Sequence, residues 1–158
     1  MNSLIFSILL TLVPLIELRG GLPLAIIFAQ KNNLPEIPIF LVIVTLNILL
    51  IFIIFLFLDK VHGFLINYES YKKFYDFYLN RMQSRIKKFE KRHNKIGFYA
   101  LFLFVAIPLP LTGAYAGSFV SWILKLDRKK SIIAISSGIF VAGIIIYLGT
   151  KGIISFLG

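Results

Sequence analysis

The chain has 158 residues, 58% of them hydrophobic and 15% aromatic, with a mean hydropathy of +0.87 and a formal net charge of +10. An average soluble domain is roughly 45–50% apolar and could not cover this much apolar side chain with so few polar groups. A soluble domain, a disordered chain and a basic nucleic-acid binder are therefore excluded, the last because the apolar residues come in long unbroken runs. What remains is an all-α integral membrane protein, one membrane domain over 1–158, whose positive charge reports orientation. Cysteine is absent, so disulfides, iron–sulfur clusters and thiol nucleophiles are excluded as well. Met1 to Phe6 carries no basic residue and the stretch after it contains Glu17 and Arg19, so a cleaved signal peptide is not expected.

In chain order, the first apolar segment covers 3–29 and is broken by Pro14 and by Glu17-Leu18-Arg19-Gly20-Gly21-Leu22-Pro23. The break leaves two arms of about 10–12 residues, roughly 15–18 Å each. Such an arm reaches the middle of a hydrocarbon core roughly 30 Å thick and no further. The economical reading is a re-entrant hairpin over 3–29, with a kinked ordinary span as the alternative. Residues 38–58 form a clean transmembrane helix with Asn47 at mid-span.

Residues 59–96 form a polar connector in which Tyr71, Phe74, Tyr75, Tyr78, Met82, Ile86 and Phe89 recur at helical spacing opposite Lys and Arg. This predicts a basic amphipathic helix of about 25 residues at the membrane surface. The segment 97–124 is broken by Pro108-Leu109-Pro110-Leu111-Thr112-Gly113 and reads as a second re-entrant hairpin. A second transmembrane helix, 131–157, closes the chain; its Ala134, Gly138 and Ala142 make a small-residue stripe for internal packing or a homodimer interface.

Charge orients this layout. Ten Lys or Arg fall in 59–96 and four in 125–130, whereas 30–37 holds only Lys31 and Glu36. If 97–124 turns back, both basic connectors are cytoplasmic, as the positive-inside rule requires, and the N-terminus is outside. The two halves, each a hairpin followed by a span, then have opposite topology: an inverted repeat, the plan of many secondary transporters.

Glu17 and Arg19 are the ionisable residues deep in an apolar segment, and intramembrane charge marks function by default. Glu17 can carry a coupling proton and Arg19 can hold an anionic head group in its fork geometry. A structural ion pair is the alternative. Gly20, Gly21 and Pro23 predict a turn followed by a helix N-terminus; Pro108, Pro110, Thr112 and Gly113 predict another, with Thr112 as its N-cap. Two positive dipole ends converging on Arg19 would favour a phosphate or carboxylate. Asn47 would bond a hairpin tip or, preferably, bridge helices. His62 and His93 lack ligand-spaced companions, so no metal site and no cofactor are expected. No nucleophile–base pair or phosphate-loop fingerprint occurs, so an enzyme is not expected. The expected partners are membrane lipids and an anionic lipid or small anion, not nucleic acid.

The segment Pro14 to Pro23 resembles the E-x-R-G-x-x-P signature of the small multidrug export protein family. Pro108 to Gly117 resembles its second motif, P-x-P-x-T-G-A-x-x-G, and Asn47 matches an Asn of its second segment. That family is distantly similar to the DedA/VTT superfamily, which has paired re-entrant hairpins and includes flippases of phosphate-bearing lipids. The resemblance implies a transporter or lipid flippase with Glu17 and Arg19 at its centre. DedA proteins carry arginines around their second re-entrant motif; Phe104 to Gly117 has none here, which leaves Arg19 as the deep cation.

Overall fold

The structure is a computed structural model and describes residues 2–14, 16–69, 97–109 and 112–157. Helices and turns account for the described residues, with no strand among them. The helices are α1 (Asn2–Leu10), α2 (Glu17–Lys31), α3 (Glu36–Leu65), α4 (Gly97–Ala106), α5 (Ala114–Ile123) and α6 (Arg128–Leu157). Two of them, α3 and α6, are long and apolar enough to cross a membrane, over Glu36–Phe64 and Arg128–Phe156. Helix α3 continues past the span expected to end at residue 58. The amphipathic helix expected around Tyr71 to Phe89 lies outside the described residues.

The long helices run antiparallel, and an ion pair closes each end. Lys151 Nζ lies 3.0 Å from Glu36 at one end, where the Tyr147 hydroxyl also donates to Glu36 at 2.6 Å. At the other end Arg128 Nη1 lies 2.7 Å from Asp59, and Trp122 Nε1 donates to the same carboxylate at 3.0 Å. Asp127 starts α6 by accepting the backbone N–H of Lys130 at 2.9 Å, as an N-cap aspartate does. The two clamps stand roughly 35 Å apart along α3, slightly more than a hydrocarbon core.

The short helices come in two pairs, and in each the chain folds back on itself. A Cβ on Gly21 in α2 would sit 2.7 Å from the Ser7 carbonyl of α1 and would overlap Thr11. Residues that far apart on one straight helix would be roughly 20 Å from each other. Likewise a Cβ on Gly117 in α5 would sit 2.8 Å from Val105 of α4. The described residues between the arms are 11–14 and 16 in the first pair, and 107–109 and 112–113 in the second. In the first pair, the turn predicted at Gly20 and Gly21 is instead helix: α2 begins at Glu17, and among the described residues no glycine has a positive φ. The hydrogen bonds of residues 11–17 already reverse the chain upstream of the glycines, which serve close packing. Pro23 lies inside α2. It is the seventh residue of the helix and has no N–H for the Arg19 carbonyl, so one bond of the helix is lost there.

Helix α2 is central. Leu18, Leu22, Ala25, Ile26 and Ala29 are buried at helical spacing and form its inner face. It packs on α1, α3 and α6, while α5 packs on α3 and α6. Each second arm therefore touches both long helices. The core continues through Ile43, Val44 and Ile51 of α3 and Ala134 and Ile135 of α6. The small-residue stripe is spent internally. Ala134 and Ala142 are buried, and a Cβ on Gly138 would meet Val105 at 2.8 Å. The outward faces are apolar: Ile53, Leu56, Phe57, Ile133, Leu148 and Ile153 are each more than half exposed. A water-soluble surface does not carry such a continuous band.

Candidate functional site where the two turns meet

Glu17 is the first residue of α2 and has a φ of 44°, in the left-handed region that a glutamate rarely adopts. Its side chain is buried, at 5% exposure. The carboxylate reaches across to the start of α5. Oε2 accepts the Ala114 N–H at 3.1 Å and Oε1 accepts the Tyr115 N–H at 3.0 Å. The first N–H groups of a helix have no intrahelical partner and sit at its positive dipole end. Glu17 satisfies two of them from a distant part of the chain.

Thr112 was the expected N-cap of this helix, and the structure corrects that. Gly113 is the N-cap, and no side-chain cap bond forms there. The Thr112 hydroxyl turns away, toward the carbonyls of Ile107 at 3.0 Å and Leu109 at 2.9 Å. Glu17 takes the capping role because Gly113 has no side chain in its path. A Cβ on Gly113 would overlap the Glu17 carboxylate.

Arg19 does not bond to Glu17. Its Nη2 donates to Thr112 Oγ1 at 2.6 Å, so both charged residues of the first turn reach into the second. The link is returned by Tyr115, whose hydroxyl donates to the Leu12 carbonyl at 2.8 Å. Glu17, Arg19, Asn47, Val105, Ile139 and Ala142 surround a small cavity with room for about one water. Asn47 is 1% exposed; its Nδ2 donates to Ile43 of its own helix at 3.0 Å. The interhelical bridge expected of it is not made. Its Oδ1 and Arg19 Nε are buried without a hydrogen-bond partner. Asn47 lies midway between Glu36 and Asp59 on α3, and Ile139 midway between Arg128 and Lys151 on α6. The cavity thus sits at half depth between the two end clamps.

Of the residues singled out from sequence, Glu17, Arg19, Asn47, Thr112 and Gly113 meet here. Gly20, Gly21, Pro23 and Pro108 shape the turns and arms without lining the cavity. Pro110 lies outside the described residues. Tyr115 was missed, although a Tyr at the second position of α5 is placed to reach back to the first turn. Among the described residues no group of three metal-binding side chains occurs. His62 stacks edge-on to Trp122 at 5.5 Å between ring centres.

These features define a helical protein with an apolar outer band and a buried charged site at half depth. The family model described as "Putative small multi-drug export protein" matches residues 17–145, and the chain belongs to that family. The family and the two apolar helices together put the protein in a membrane. No curated protein and no solved structure matches the chain.

Proposed function

We propose that this protein is a small carrier rather than an enzyme, built as an inverted repeat with two re-entrant hairpins, α1–α2 and α4–α5. It binds an anion, either a small solute or a lipid head group, where the hairpin tips meet, and Glu17 carries a coupling proton. The observation that carries this reading is the contact of the two turns at half depth, with Glu17 and Arg19 both engaged across it. Irregular backbone at that depth is tolerated where it is buried in protein or lines a cavity. The repeat is supported by the reciprocal packing of α2 and α5 on both long helices.

The N-terminus faces outside, and 59–96 and 125–130 face the cytoplasm. Single cysteines at Asn32 and Lys129 should then label from outside and inside respectively; labelling of both from one side would overturn the topology.

The test of function is flux in proteoliposomes under a pH gradient. Glu17→Gln should abolish proton-driven anion uptake while the variant still purifies as a folded protein. Normal uptake by that variant would refute coupling through Glu17. The cross-turn bonds also suit a second reading, a non-transporting membrane protein in which these residues hold the fold. That reading gains if Glu17→Gln unfolds and the wild type moves nothing. Uptake of a small cationic dye without any anion flux would instead favour cation export.

A further inference from the structure

Resting on the carrier reading, we propose that Glu17 is a tethered competitor for the transported anion: its carboxylate occupies the anion's seat at the start of α5, and protonation vacates that seat. The seat consists of the Ala114 and Tyr115 N–H groups, the positive end of a ten-residue helix and the Arg19 guanidinium. All of these favour negative charge, and in this structure the negative charge is the protein's own. A second observation points to a ligand. Asn47 Oδ1 and Arg19 Nε, one acceptor and one donor, flank the same cavity with nothing bonded to either. A buried polar pair left open beside a filled seat is what a larger polar guest would satisfy. An oxygen of a bound monoanion would accept from Arg19 Nε, and a hydroxyl on the guest, where it has one, would donate to Asn47 Oδ1.

The charge count gives the consequence. Ionised Glu17 balances Arg19 and the helix end. A neutral Glu17 with a bound monoanion leaves the same net charge. Each monoanion therefore enters with one proton, in the same direction, and the loaded and empty sites are electrically equivalent. The titratable groups facing Glu17 are Arg19 from α2 and Tyr115 from α5; α3, α4 and α6 present Asn47, Val105, Ile139 and Ala142. Among the described residues, no other group at the site competes with Glu17 for the role of proton acceptor.

The test is calorimetry on the purified full chain, with dimethyl phosphate as a soluble monoanion and dihexanoyl phosphatidylglycerol as a lipid one. Both keep a single negative charge across the pH series. Wild-type affinity should rise about tenfold for each unit the pH is lowered while Glu17 is ionised, with about one proton taken up per anion bound. Glu17→Gln should bind with no pH dependence, and Arg19→Gln should lose binding. Stronger binding of dimethyl phosphate assigns the seat to a small solute; stronger binding of the lipid assigns it to a head group. Anion binding by the wild type with no pH slope and no proton uptake would leave the anion site standing and overturn the competition. Proton uptake needs only the wild type, so failure of Glu17→Gln to fold would not shield the proposal. Absence of anion binding at every pH would overturn the carrier reading and this inference with it.

Discussion

The two turns that meet at half depth do the same job with opposite means. The first, between α1 and α2, is followed by charged side chains, Glu17 and Arg19. The second, between α4 and α5, offers backbone N–H groups, a threonine hydroxyl and a glycine without a side chain. One side supplies charge and the other supplies the dipole and the space to receive it. A buried carboxylate costs several kcal/mol unless it is hydrogen-bonded, so the ionised form of Glu17 depends on the α5 N–H groups that receive it.

The largest effect should come from breaking the receiving side where it is most crowded. Gly113→Ala puts a methyl group into the Glu17 carboxylate, and the turns must separate. A loss of about 3 kcal/mol or more is expected by thermal unfolding in detergent, together with loss of uptake. A near-wild-type melting temperature would show that the turns do not need this contact. Thr112→Val keeps the shape but removes the acceptor for Arg19, leaving a half-buried guanidinium short of one partner. It should cost about 1.5–3 kcal/mol by the same measurement. The smallest effect belongs at the ends. Asp59→Asn weakens a pair in which both side chains are nearly half exposed. Its cost should be about 0–1 kcal/mol. A loss as large as that of Thr112→Val would erase the contrast between centre and rim.

Much of this arrangement was legible in the sequence, for physical reasons. Apolar runs interrupted by Pro, Gly and charge marked where helices stop, and the length of the arms forced them to turn. Glu17 and Arg19 stood out because charge at membrane depth is costly and is kept for a purpose. What the residues could not show was who bonds to whom. The sequence left open an ion pair between Glu17 and Arg19 as the alternative to a binding role; the structure sends one to the α5 amides and the other to Thr112. Backbone N–H groups carry no letter in a sequence, so Ala114 and Tyr115 could not be found by residue type. Gly20 and Gly21 read as a turn because glycine permits one, yet they are helical: Gly21 lets α1 approach, and Gly20 leaves room for Ile16. The same residue type answers either demand, and the decision rests with packing between segments.

Helix α5 also joins the buried centre to the rim. Its first turn holds Glu17, and its last turn carries Trp122, the chain's single tryptophan, bonded to Asp59 and stacked on His62 at the rim. The helix between them is one short rigid rod of roughly 15 Å. Any release of its inner end is carried as tilt to its outer end. Indole emission at the rim should therefore shift if α5 tilts when the buried Glu17 lets go of its first turn, which makes Trp122 a built-in test of that movement.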